Sequence, residues 1–214
     1  MKFLYSLGGG NIPVIREFDI VANEKFSAGQ IVRISTDGYI AKDAIGGCIG
    51  VVAEDHTGEK DILNERNNGT KLRIDITKDA VYSVDAVRVT ATSGSTTTMT
   101  CSSSVLSGNL TGAKLILVQK GENSENTDTV GTVRTVQNVS VSGATATANV
   151  TTGGKICEGD VYAVIPVYGF RGYVGADGEG FAFVVSDIST ELYVVNYNTD
   201  TLTLEVMLKK DFIV

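Results

Sequence analysis

Gln30-Ile31-Val32-Arg33-Ile34-Ser35-Thr36-Asp37-Gly38-Tyr39-Ile40-Ala41 is the stretch that decides the fold. Two apolar runs flank an Asp-Gly pair, the residue pair favoured in tight hairpin turns, where both central residues need a positive φ. Ala28-Gly29 ahead of it reads as another turn, and Cys48-Ile49-Gly50-Val51-Val52-Ala53 follows the Gly46-Gly47 break as a further strand. Leu72-Arg73-Ile74-Asp75-Ile76 alternates apolar and polar residues with period two, which predicts one buried and one wet face. Ile12 to Val21 and Val81 to Val89 complete a unit of short strands and tight turns, the pattern of a small barrel or sandwich. Thr57 to Asn68 is polar and predicts a long loop, with one helical turn at Asp61–Glu65.

Composition points the same way across the whole chain. Val, Ile and Thr supply 66 of the 214 residues, about 31%, a share that favours pleated sheet over helix. Residues 91–112 and Thr135 to Gly154 contain no Asp, Glu, Lys or Arg. Each predicts a hairpin, with Ser93-Gly94 and Ser142-Gly143 at the tips. The two tips lie 49 positions apart, and the same offset lays Leu115–Val118 on Val164–Val167. An internal duplication and a shared compositional bias both account for that match. Val161 to Tyr168, Phe181 to Val185, Leu192 to Tyr197 and Leu202 to Leu208 read as strands, the last two joined by a turn at Asn198-Thr199-Asp200. Gly169, Gly172, Gly175 and Gly178 read as a glycine-rich turn or extended loop.

The expectation is an all-β protein: a small β-barrel or sandwich followed by a second β-rich subdomain, with very little helix. The divisions are an N-terminal arm over 1–11, a β-barrel-like domain over 12–90, a hydroxyl-rich β-hairpin insertion over 91–160, and C-terminal β-strands over 161–214. In the arm, Phe3, Leu4, Tyr5 and Leu7 are apolar or aromatic and precede Gly8-Gly9-Gly10. Such a segment is either a disordered terminus or a tether that docks on a neighbour. Those four residues are the candidate contact.

The sequence argues against most chemistries. A net charge of −7 disfavours nucleic acid, whose binding needs a basic face to displace counterions. No apolar run reaches the length of a membrane span or of a signal-peptide core. Cys48, Cys101 and Cys157 are widely spaced and form no metal or redox motif, which leaves them as buried free thiols of a protein made in a reducing cytosol. His56, in Glu54-Asp55-His56-Thr57, is the one histidine, and a solvated loop position is expected for it. Asp177 with Glu179, and Glu17 with Asp19, are paired carboxylates of the kind glycoside hydrolysis uses across a cleft. There is no calcium loop, no phosphate loop around Gly154-Lys155 and no nucleophile elbow. No cofactor, no metal and no enzymatic activity are expected.

The run Ala28-Gly29-Gln30-Ile31-Val32, then Asp37-Gly38-Tyr39-Ile40-Ala41, then Ile49-Gly50-Val51-Val52-Ala53, resembles the small β-barrel of tailed-bacteriophage capsid decoration, or cement, proteins. The resemblance covers roughly residues 13–90. It implies a non-enzymatic virion protein on the outer capsid surface, made in the host bacterial cytoplasm. Its implied partner is the major capsid protein, and it implies a homo-oligomer, commonly a trimer, that bridges neighbouring capsomers and stabilises the shell. A phage tail, baseplate or receptor-binding module shares the composition. A carbohydrate-active β-sandwich enzyme using an Asp/Glu pair is the alternative from another class.

Overall fold

The computed structural model describes residues 1–8, 12–42, 47–57, 71–107, 109–174, 181–182 and 191–209. Among them every regular element is a strand, and all strand pairs are antiparallel. The chain begins with β1 (Lys2–Ser6). A five-stranded sheet follows from β2 (Ile15–Asp19), β3 (Ile31–Ile34), β4 (Ile40–Ala41), β5 (Gly50–Val52) and β6 (Lys71–Asp75), in the order β2-β6-β5-β3-β4. After β7 (Ala80–Asp85) the chain enters a seven-stranded sheet. Its members are β8 (Val87–Thr90), β9 (Ser93–Gly94), β10 (Thr98–Ser102), β11 (Lys114–Gln119), β12 (Val133–Ser142), β13 (Thr145–Val150) and β14 (Val161–Ile165), ordered β8-β14-β11-β12-β13-β10-β9. The last strands, β15 (Arg171–Val174), β16 (Phe181–Ala182), β17 (Glu191–Asn198) and β18 (Thr203–Leu208), join the early ones in a six-stranded sheet ordered β1-β7-β18-β17-β15-β16.

Local sequence explains the five-stranded unit. Leu72 and Ile74 of β6 are buried while Lys71 and Arg73 are partly exposed, as the period-two pattern requires. The Asp37-Gly38 turn joins β3 to β4: Ser35 N donates to Tyr39 O at 2.8 Å and Gly38 N to Ser35 O at 3.0 Å. Gly38 has φ +88° with open space where a Cβ would stand, so its need for glycine is conformational and not steric. Ile20, Phe26, Val32, Ile40, Leu72 and Ile74 form this unit's own core.

A second core joins all three sheets. Ile31 and Val51 come from the five-stranded sheet, Ile116, Ala163 and Ile165 from the seven-stranded one, and Tyr82, Leu192, Val194 and Val206 from the six-stranded one. The third core lies on one face of the seven-stranded sheet, where Leu115, Leu117, Tyr162 and Val164 meet Met99, Ala146 and Ala148.

The structure divides the chain differently from the linear reading. Residues 2–6 are a strand paired with β7, where the sequence reads as an arm. The stretch 12–90 divides at its end: β7 goes to the six-stranded sheet and β8 to the seven-stranded one. Residue 161 marks no boundary, because β14 pairs with both β11 and β8. The first hairpin also turns three residues later than expected, at Thr96-Thr97. Ser93 and Gly94 are in strand β9, and the turn is organised by Ser95, whose Oγ accepts from Thr97 N and Thr98 N at 3.1 Å each. The second turn is Gly143-Ala144, with Gly143 at φ +58°, one residue after the expected tip, since Ser142 ends β12 and pairs with Thr145. The two tips shift by different amounts, so the structure does not place them as equivalent positions of a duplication. The Thr57–Asn68 loop beyond Thr57, Gly175 and Gly178, and residues 183–185 lie outside the described residues.

Candidate functional site

The four candidate contact residues do not act as one cluster. Register places Phe3 opposite Tyr82 and Tyr5 opposite Val81, with a bulge at Leu4 between them. Tyr82 and Val81 are consecutive and point to opposite faces of the sheet, so the bulge sends Phe3 and Tyr5 to opposite faces too. Phe3 turns inward and meets Tyr82 edge-on, with ring centroids 6.1 Å apart. The Tyr5 hydroxyl donates to Glu205 Oε2 at 2.9 Å, which ties β1 to β18 across the intervening β7. That bond, more than burial, raises the Tyr5 pKa. Leu4 and Leu7 remain exposed, at 37% and 60%.

Two residues that the sequence reading passed over join them. Ile12 is 82% exposed and Val14 43% exposed. The turn at Thr77–Asp79 places Leu7 and Val14 around itself: Leu7 N donates to Asp79 O at 3.1 Å, Ile76 N to Val14 O at 2.9 Å, and Val14 N to Thr77 Oγ1 at 2.7 Å. Leu7 and Val14 thus flank the β6–β7 turn, each with its side chain exposed. No local pattern marks Ile12 and Val14 as exposed, since both flank Pro13 ahead of a strand.

A cavity of about 310 Å³ lies between β1 and the five-stranded sheet, lined by Met1, Phe3, Pro13, Ile15, Val52 and Tyr82 among others. The Met1 amino group donates to Gly29 O at 2.9 Å, and a Cβ at Gly29 would stand 2.4 Å from Met1 N. Burial lowers the pKa of that amino group, while Asp85 acts to raise it. Asp75 sits at the cavity wall and is fully committed. Its carboxylate accepts from Thr77 N at 2.9 Å and from the Tyr82 hydroxyl at 3.0 Å. Burial, then Asp75, pushes the Tyr82 pKa well up, so the phenol stays a donor.

A second set of polar groups is buried inside the seven-stranded sheet. Arg134, on β12, is 2% exposed. Its guanidinium donates to the Asp128 carboxylate, to Thr96 O at 3.0 Å and to Gly154 O. A Cβ at Gly153 would stand 2.6 Å from Arg134 Nη2, so only glycine lets the chain pass there. Nearby, Asp160 accepts from Gly121 N at 3.0 Å, Cys157 N at 3.0 Å and Asn126 Nδ2 at 2.8 Å, and Asn126 also donates to Tyr162 Oη at 3.0 Å. Burial opposes ionisation of Asp160, but the Ser124 hydroxyl and the Gly121, Cys157 and Asn126 donors outweigh it and hold the pKa low. At Asp128 burial is likewise outweighed, there by Gly154 N and Arg134. Every acceptor of the two carboxylates is directed at a protein donor, which makes this a structural network.

The remaining candidates separate. His56 is 5% exposed and bridges Phe26, with both backbone bonds at 2.8–2.9 Å, so it is a buried strand-like residue and not a solvated loop residue. Glu17 and Asp19 lie on the exposed face of β2, where Asp19 pairs with Lys71 at 2.6 Å. Asp19 and Asp37 both line an open hollow of about 600 Å³ with Tyr39 and Val21. Asp37 accepts from the Ser35 hydroxyl, which lowers its pKa, the opposite of what a general acid needs. Asp177 and Glu179 lie outside the described residues. Cys48 and Cys101 are buried and form no disulfide, with the Cys101 thiol pushed up to about 11 by burial, and Cys157 is partly exposed. Among the described residues, no group of three or more His, Cys, Asp or Glu is placed to hold a metal ion, and no helix is long and apolar enough to cross a membrane.

No family model matches this sequence, and no curated protein matches it. Among solved structures, a chain of Mycobacterium phage Patience aligns over 99% of this chain and 98% of its own length, at 16% identity and a TM-score of 0.37.

Proposed function

We propose that the chain is a non-enzymatic virion structural protein that decorates a phage capsid and stabilises it by bridging neighbouring capsomers. Its partner is the major capsid protein, and it works as a homo-oligomer, with a trimer favoured. The observation that carries this reading is the exposure of Leu4 and Leu7, on and just after β1, and of Ile12 and Val14, which lead into β2 of the five-stranded unit whose β3, β4 and β5 are the residues that resemble the cement barrel. Apolar side chains gathered on a soluble surface mark a protein contact. Leu4 lies in the paired strand β1, and backbone bonds hold Leu7 to Asp79 and Val14 to Ile76, so docking on these three orders little additional chain. A protein that binds the assembled shell and not its dissociated subunits stabilises the shell by mass action.

The test is co-sedimentation with empty capsids. The intact protein should sediment with shells, and a Leu7→Ser, Ile12→Ser double variant should lose occupancy while keeping its thermal unfolding temperature. Exposed substitutions are the right probe, because deletion of residues 2–7 would remove β1 from its sheet and mix loss of fold with loss of binding. If the intact protein leaves shells bare, the capsid role is wrong, and tail, baseplate or receptor-binding roles take its place.

A further inference from the structure

The free edges of the three sheets are not protected alike. β1 carries Lys2, β2 carries Arg16, Glu17 and Asp19, and β8 carries Arg88. β4 and β9 are two residues long. Charge and shortness are the usual devices that stop one sheet edge from pairing with another. β12 has neither in its outer half. It pairs with β11 only through Val133, Arg134 and Thr135, and the neighbouring backbone bonds to Gly112 and Ala113 end at Val136. A bulge between Val136 and Asn138 then carries the strand on alongside β13 alone, as far as Ser142. Among the described residues, no backbone bond joins the other edge of Asn138–Ser142 to any strand.

From this we infer that the outer half of β12 is a self-association edge, and that its occupant is β12 of a second copy, paired antiparallel about a two-fold axis through Ser140. Charge favours a second copy here. The chain carries −7 overall, so copies repel across most approaches, yet Thr135 to Gly154 holds no charged residue and imposes no such repulsion. The pattern is self-complementary. With Ser140 on the axis, Val139 of one copy lies opposite Val141 of the other, and Asn138 opposite Ser142, so like faces meet. The apolar face also has something to gain. Val139 packs partly on the core that includes Ala146 and Ala148, and Val141, on the same face, is 50% exposed. An added strand would cover Val141 and extend that face by one β12–β12 seam.

The inference is independent of the capsid reading, since it needs no shell. The test places a cysteine on the axis, Ser140→Cys, in a Cys157→Ser background that leaves only buried native thiols. Directly opposed residues of antiparallel strands bring their Cβ atoms to disulfide range. Mild oxidation should give a disulfide-linked dimer about tenfold faster than for the exposed control Glu122→Cys, because pairing raises the local thiol concentration. Adding Val141→Lys, or the exposed Ser142→Lys, should return the rate to that of the control, with unchanged unfolding temperatures showing that the fold is intact. Cross-linking of Ser140→Cys at the control rate, or insensitivity to both lysines, would overturn the proposed edge. A capsid-binding protein whose Ser140→Cys variant fails to cross-link would sink this inference alone.

Discussion

The five-stranded unit and the seven-stranded sheet are both antiparallel β, yet they are held together by different physics. The first is filled by large branched side chains, Ile20, Val32, Ile40, Leu72 and Ile74, around Phe26. The second has large residues on its central strands, Leu115, Leu117 and Tyr162, but strand β13 contributes only Ala146, Ala148 and Val150. The same sheet also holds buried Arg134 with Asp128, Asn126 and Asp160, joined to one another and to backbone. Threonine, serine, alanine and glycine make a sheet but bury little apolar area, and directional polar bonds then fix how its loops close. Non-directional burial tolerates small changes of shape. A buried ionic network does not tolerate the loss of one partner.

The sharpest way to break this contrast is Arg134→Ala. It leaves the Asp128 carboxylate, Thr96 O and Gly154 O without their donor. The expected cost is about 3–5 kcal/mol, against about 1 kcal/mol for Ile74→Val in the other unit. Calorimetric unfolding of the two variants compares them directly, and equal losses would show that the network is no more demanding than the apolar core. Next in size is Gly154→Ala. Its Cβ would stand 2.6 Å from Asn126 Oδ1 and from Thr127 Oγ1, in the loop that Asp128 organises. A cost of about 1–3 kcal/mol follows from forced displacement in a packed site. The smallest effect is that of acid. Asp128 and Asp160 have lowered pKa values when folded, so their contribution is fully present above the unfolded value of about 3.9 and is lost as pH falls through the folded values. Amide protection, taken relative to the intrinsic exchange rate, should therefore fall more in β12–β14 than in β3 and β5 as pH drops below about 4. Asp160→Asn should be less stable at neutral pH and should flatten that dependence.

What the sequence made legible was local. The alternation in Leu72–Asp75 and the Asp37-Gly38 turn each depend on residues a few positions apart, and the structure has both, with the Gly143 turn one residue from its expected place. What it concealed was pairing at a distance. Lys2–Ser6 followed by glycines reads as an arm, because its partner Ala80–Asp85 is remote in sequence and nothing in the segment marks it as a strand. The same applies to Ala86, the single residue at which the chain leaves one sheet for the next. Arg134 next to a long uncharged run looks like a surface charge. Only the fold shows that the carbonyls of Thr96, Thr151 and Gly154 converge on it. The exposed apolar residues were half legible: Leu4 and Leu7 were marked by composition, while Ile12 and Val14 looked like the start of a buried strand.

The tie between Tyr5 and Glu205 spans nearly the whole chain, and β1 reaches β18 only through β7. Synthesis runs from one end of that tie to the other. β1 and β7 leave the ribosome well before β18, the strand that must cover the other side of β7. Until then the Tyr82 face of β7 has no Leu204 or Val206 to pack against. Sheets closed by such distant segments form slowly, and their half-made edges are open to wrong partners meanwhile. Translation therefore sets a clock on this protein: the five-stranded unit, complete by residue 75, can mature while later strands are still being made, but the sheet that anchors the exposed Leu4 and Leu7 closes only once residues 203–208 have emerged.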